Sequence, residues 1–150
     1  MPKILVLNGP NLNLLGRREP EIYGSATLAD VEERLHRWGE TAGVTIEMRQ
    51  SNHEGELIDW LHEAAAGADG VILNPGGLTH SSVSLGDAVA GIATPVIEVH
   101  ISNVFAREPF RAHSHVSRAA IGIISGLGIE GYVLAARALV DRIRREQKKG

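Results

Sequence analysis

Lys3-Ile-Leu-Val-Leu7 runs directly into Asn8-Gly-Pro-Asn11-Leu-Asn13-Leu-Leu-Gly16-Arg17-Arg18-Glu-Pro20-Glu-Ile-Tyr23-Gly24, and this stretch decides the fold. The first five residues are continuously apolar, as expected of a parallel strand buried on both faces. The seventeen that follow contain three Gly and two Pro, which predicts a long loop without helix or strand. Long loops in compact domains are commonly functional, often as lids. This one has asparagines near its root, paired arginines in its middle and one of the chain's two tyrosines at its end. Residues 9–25 are therefore expected to form a lid over a site at the end of strand one.

Beyond the loop, strand and helix patterns alternate. Leu28, Val31, Leu35 and Trp38 predict a helix from Thr27 to Ala42, with Thr27 as its N-cap. A strand is expected over Val44–Met48, a helix over Glu54–Ala66 and a strand over Gly70–Leu73. A helix of small residues over Ser84–Ile92 precedes a strand over Pro95–Val99. The last strand is expected at Ala119–Ile124 and the closing helix at Ile129–Gln147. Such alternation with apolar strands predicts a doubly wound five-stranded parallel sheet, helices on both faces, in a single domain.

Composition fits. At 150 residues the chain has the size of one ordinary domain, with 43% hydrophobic and 22% charged residues. No apolar run approaches the ~20 residues of a membrane span, and the start lacks a signal-peptide pattern. The absence of cysteine excludes disulfides and thiolate metal sites and fits a reducing cytoplasm. A net charge of −3 gives no support for nucleic-acid binding. The basic tail from Arg142 to Lys149 reads as cations at a helix C-terminus.

Sheets of this kind bind ligands outside the carboxyl ends of their strands. Polar residues follow each strand there: Asn8 and Asn11, Asn74 and His80, Glu98 with His100 and Ser102, and Ser125. Gln50-Ser51-Asn52-His53 reads as an ordinary polar turn. Glu98 and His100 lie two apart on a strand, so both side chains face one way. A carboxylate beside an imidazole fixes its tautomer and favours the imidazolium, which suits a general acid. Arg17, Arg18, Arg107 and Arg111 can converge above the sheet edge, where planar guanidinium groups would recognise a carboxylate.

Three segments carry a family resemblance: N-G-P-N-L-N-L-L-G-R-R-E-P-E-I-Y-G, N-P-G-G-L-T-H-S-S-V, and P-V-I-E-V-H-I-S-N-V with the following R-E-P-F-R. In this order the sequence resembles the type II 3-dehydroquinate dehydratases along nearly its whole length. The resemblance implies a flavodoxin-like fold and a hydro-lyase of the shikimate pathway that converts 3-dehydroquinate into 3-dehydroshikimate and water. It further implies no cofactor and a homo-oligomer of twelve subunits built from trimers. Tyr23 resembles the base that takes a proton from the carbon beside the ketone, and Arg18 the cation that favours the tyrosinate. Asn11, through a water, resembles the group stabilising the enolate. His100, held by Glu98, resembles the acid that protonates the departing hydroxyl. Asn74, His80 and Arg111, with the backbone of Ile101 and Ser102, resemble the groups binding hydroxyls and carboxylate. Asp87 matches a residue the family presents to a neighbouring subunit. Gly86 departs from the family, where arginine is common.

Other classes fit less well. A phosphorelay receiver needs acidic residues after strand one, Asp after strand three and Lys after strand five, where Asn8, Asn74 and Ser125 stand. A flavin carrier, or small-anion binding without catalysis, is the alternative on this fold. The loop after strand one is too apolar for a flavin phosphate site. No G-x-S-x-G elbow supports a serine hydrolase, and His113-Ser-His115 reads as surface residues rather than a metal pair.

Overall fold

The computed structural model describes residues 1–149. Five strands, β1 (Lys3–Asn8), β2 (Thr45–Gln50), β3 (Gly70–Asn74), β4 (Val96–His100) and β5 (Gly122–Ser125), form one parallel sheet in the order β2-β1-β3-β4-β5. This is the doubly wound, flavodoxin-like arrangement expected from the alternation. The helices are α1 (Pro20–Tyr23), α2 (Leu28–Ala42), α3 (Glu54–Gly67), α4 (Val83–Ala90) and α5 (Glu130–Lys149). Alternate strand residues feed two cores. Ile4, Val6, Ile72, Ile97 and Val99 pack with residues of α2 and α5, whereas Leu5, Leu7, Val71, Leu73 and Val96 pack with residues of α3 and α4. Both faces are therefore covered, which is why the strands read as unbroken apolar runs.

Register lines up the functional edge. Asn8 pairs with Gln50 on one side and Asn74 on the other, and His100 pairs with Ser125. The sheet reverses winding direction about β1 and β3, and the crevice opens there. Among the described residues, no helix is long and apolar enough to cross a membrane.

Several boundaries differ from expectation for local reasons. The stretch after β1 is not free of helix: Leu12–Leu14 is a 3₁₀ turn and Pro20–Tyr23 a single α-helical turn. Pro20 sits at N1, where a missing N–H costs nothing, and Gly24 ends the turn at φ 81°. β5 begins at Gly122 rather than Ala119, because the N–H groups of Ala119 and Ala120 close a turn on the Val116 carbonyl (3.0 and 3.1 Å). β2 extends to Gln50 because Arg49 and Gln50 continue the ladder with Leu7 and Asn8. α4 starts at Val83, capped by Ser82, whose hydroxyl accepts from the Leu85 N–H at 2.9 Å. Thr27 caps α2 as expected and forms a reciprocal pair with Asp30.

Candidate active site

The chain leaves β1 through Gly9, whose N–H donates to the Asn74 carbonyl at 2.8 Å. A Cβ at Gly9 would collide with the Pro75 carbonyl, so only glycine lets the loops after β1 and β3 come this close. Asn11 then takes the left-handed conformation (φ 71°), which asparagine tolerates better than most residues. It is held there from β2 and the turn after it. The Asn11 N–H donates to Asn52 Oδ1 at 3.0 Å, and Gln50 Nε2 donates to the Gly9 carbonyl at 3.2 Å and to Asn52 Oδ1 at 3.0 Å. The turn read as ordinary therefore clamps the root of the loop. Leu12 and Leu15 are buried and anchor the loop to the first core.

A polar network lies beneath the crevice, where β1, β3 and α5 meet. The Tyr132 hydroxyl donates to Asn8 Oδ1 at 2.7 Å and accepts from Asn74 Nδ2 at 2.9 Å. Asn8 Nδ2 donates to the Arg49 carbonyl (3.2 Å), and Asn74 Oδ1 accepts from the Gly76 N–H (3.2 Å). Asn8, Asn74 and Tyr132 are all buried, and burial pushes the Tyr132 phenol well above its ordinary range, against the opposing Asn74 hydrogen bond. Tyr132 is thus a neutral donor that fixes both amides. Asn74 keeps one N–H and part of its carbonyl oxygen for a ligand.

At the end of β4, Glu98 is fully buried and touches three donors. They are His100 Nε2, the Ser117 hydroxyl at 2.6 Å from Oε1, and the Ser114 hydroxyl at 3.0 Å from Oε1 and 3.2 Å from Oε2. Burial opposes the charge on Glu98. The hydrogen bonds from His100, Ser117 and Ser114 outweigh it and hold the carboxyl below its usual range. An ionised Glu98 only accepts, so the proton of this contact sits on His100 Nε2. His80 stacks beside His100 with ring centroids 6.5 Å apart. Its Nδ1 donates to the His113 carbonyl at 2.7 Å, which leaves Nε2 as a free acceptor in the neutral ring. Burial lowers the His80 pKa, and the charges of His100 and Arg111 add to this against the His113 carbonyl.

These groups wall a cavity of about 250 Å³. Asn11, Arg18, Tyr23, Asn74, His80 and His100 line it, and Ile101, Ser102 and Arg111 complete its far side. Glu98 lies behind His100. Asp87 is exposed on α4, and Arg17 is exposed on the loop; neither borders the cavity. The fold thus brings together the expected site residues except Asp87 and Arg17, with Glu98 one contact removed. Gly86 lies against the His115 carbonyl, which a Cβ would strike, so no arginine fits here on this backbone.

The arginines divide differently from expectation. Arg107 Nη1 donates to the Tyr23 hydroxyl at 2.8 Å and to Ser102 Oγ at 3.2 Å, with its guanidinium 5.1 Å from the Tyr23 ring centre. Its buried Nε has no hydrogen-bond partner and lies 3.8 Å from a Glu108 oxygen. Arg18 stands 5.8 Å from the same ring, 45% exposed, beside Glu19 at 3.9 Å. Arg111 gives Nε to Glu108 at 2.8 Å and lies over Phe110. Arg107 is expected only as one of four converging arginines and not at the Tyr23 oxygen, and Ser114, Ser117 and Tyr132 carry no expectation from the sequence. Of the last three, Tyr132 alone has a sequence signal, a phenol placed among apolar helix positions.

Three guanidinium groups around a small cavity suit a carboxylate-bearing ligand. A phenol oxygen held by a cation and a carboxylate-backed imidazole, on the same cavity, are groups of the kind that can serve as base and acid. Comparison with known proteins agrees. The family profile Dehydroquinase class II matches residues 2–140. A 3-dehydroquinate dehydratase of Variovorax paradoxus is 64% identical over 145 residues, covering 93% of this chain and 99% of that protein. 3-Dehydroquinate dehydratase 2 of Ralstonia nicotianae is 58% identical, covering 93% and 94%. The crystal structure of a type II dehydroquinase from Butyrivibrio crossotus superposes with a TM-score of 0.90 at 44% identity, covering 92% of this chain and 97% of that one.

Proposed function

The chain belongs to the class II dehydroquinases, and on that footing we propose that it eliminates water from 3-dehydroquinate to give 3-dehydroshikimate in the shikimate pathway. The observation that carries the proposal is the placement of Tyr23 and His100 on one cavity, each backed by its own charged partner. The Tyr23 oxygen removes a proton from the carbon beside the ketone. The electron pair moves onto the ketone oxygen, and the resulting enolate is stabilised by Asn11 through a water. The enolate then collapses, the bond to the neighbouring hydroxyl breaks, and His100 Nδ1 gives the leaving oxygen its proton to form water. Glu98 holds the imidazole from behind. Arg107 and, from the lid, Arg18 set positive charge against the Tyr23 oxygen, which must be a phenolate before it takes the proton and leaves the step as a neutral phenol. His80 Nε2 accepts from a substrate hydroxyl, while Asn74, Arg111 and the backbone of Ile101 and Ser102 hold the rest of the substrate. Residues 9–25 close over it and exclude water.

The enolate route is supported by where the lysines are. Of three in the chain, Lys3 opens β1 at the opposite edge of the sheet and pairs with Glu47 at 3.3 Å, and Lys148 and Lys149 end α5. None lines the cavity, so none is placed to form a Schiff base with the ketone. The flavin-carrier alternative has no support, since Leu12 and Leu15 turn inward where a phosphate loop would present N–H groups.

The enzyme works in the cytoplasm as a dodecamer built from trimers, with Asp87 facing a neighbouring subunit's cavity. Exposed apolar side chains on and near the β5 edge, Phe105 (63%), Leu127 (56%) and Ile121 (44%), support burial between subunits. Purified protein given 3-dehydroquinate should develop enone absorbance. Borohydride added during turnover should leave no substrate mass on any lysine. An adduct there would transfer the reaction to the covalent route.

A further inference from the structure

The connection from β4 to β5 carries five residues, His113 to Ser117, for which the proposed reaction gives no role. They touch His80 directly and the carboxylate that holds His100. His113 provides the carbonyl that receives the His80 proton at 2.7 Å. Ser114 and Ser117 provide two of the three donors to Glu98. The Ser114 oxygen also accepts from the N–H groups of Val116 (3.1 Å) and Ser117 (3.0 Å), so the turn closes on the atom that serves Glu98. His115 ties the segment to the turn after β3 through its N–H and the Thr79 carbonyl at 2.9 Å. Gly86 lets α4 lie flat against the His115 carbonyl.

We infer that His113 to Ser117 form a brace for the acid of the reaction, in which Ser117 and Ser114 are positioning residues that keep Glu98 an acceptor for His100. This rests on the assignment of His100 as the acid. A carboxylate with no exposed surface takes up a proton unless donors satisfy it. Around Glu98 the neighbouring strands offer only apolar side chains at the paired positions, Leu73 and Ile123. The titratable groups close by are His100 on the same strand, His80 after β3, and His113 and His115 on the brace itself. Of these only His100 touches the carboxylate. The serine hydroxyls are therefore what remains to hold the charge. With Ser117 removed, Glu98 protonates at higher pH, and a protonated Glu98 is only a weak, neutral acceptor for the His100 Nε2 proton.

The test is the pH dependence of kcat in Ser117→Ala and Ser117→Thr. Loss of the hydroxyl should move the acid limb of Ser117→Ala upward by about one pH unit, the scale of one hydrogen bond to a charged group. KM should stay within about twofold of wild type, because Ser117 does not line the cavity. Ser117→Thr, which keeps the hydroxyl, should restore the acid limb. The same change is readable without turnover. Infrared difference spectra of Ser117→Ala should show a buried protonated carboxyl at pH values where wild type shows none, and adding Glu98→Gln should abolish it. Failure of wild type to turn over would count against the reaction and leave this infrared test standing. An unmoved acid limb, or no carboxyl band in Ser117→Ala, would overturn the brace.

Discussion

Tyr23 meets two guanidinium groups, and distance separates their roles. Arg107 Nη1 is hydrogen-bonded to the phenol oxygen and to Ser102 as well, whereas Arg18 approaches only the ring from a solvated position on the loop after β1. Removing a donor aimed at developing charge costs on the order of 10²–10³ in kcat. Arg107→Ala should fall in that range in steady-state assays, and Arg107→Lys should recover little, since the lysine nitrogen ends one bond short of the Nη1 position that meets both Tyr23 and Ser102. A kcat unchanged in Arg107→Ala would take that residue out of the chemistry. His80 supplies a second test at this scale. Its native pKa lies below the ordinary value of 6.5 because it is buried, so the unfolded chain binds the proton first as pH falls. Stability should therefore decline as pH drops below about 6.5 and level off once the lower native value is passed. His80→Asn keeps a donor for the His113 carbonyl and should lose this decline in denaturant titrations compared at several pH values. A decline of equal size in the variant would place the titration elsewhere.

At the scale of elements, the proposed lid depends on how it rejoins the fold. It leaves through the Gln50–Asn52 clamp and returns at Thr27, whose capping box with Asp30 fixes the start of α2. Thr27→Ala should lower stability by about 1 kcal/mol, as N-cap removals do, and should speed hydrogen exchange in residues 20–26 more than in β3. Uniform exchange across both would separate the cap from the lid. The buried strands and the cap were legible in the sequence because each is a local pattern: an apolar run, or Thr followed three residues later by Asp. The apolar run at Ala119 begins three residues ahead of β5 because its first residues lie in a turn closed on the Val116 carbonyl, which no local pattern announces. The partners of Glu98 and Asn11 were hidden for a related reason. Ser117 lies 19 residues from Glu98 and Asn52 lies 41 from Asn11, and serine and asparagine in loops carry no periodicity that would announce such pairs.

Across the whole molecule, parallel winding brings the ends of β1, β3 and β4 to one edge, and side chains distant in sequence become neighbours there. The roles of Tyr23 and His100 came from resemblance, while the cavity geometry gives each a partner and a reason. Assembly belongs to this scale too, and light scattering should report a particle near twelve times the 16.1 kDa chain rather than a monomer. The central claim is that the Tyr23 oxygen is the base. It is tested most directly by the initial rate of enone formation from 3-dehydroquinate in Tyr23→Phe beside wild type, at equal concentrations of folded protein. The account predicts ready turnover by wild type and a loss of at least about 10²-fold in the variant, the lower end of what a positioned base contributes. A Tyr23→Phe rate within a few fold of wild type would contradict it.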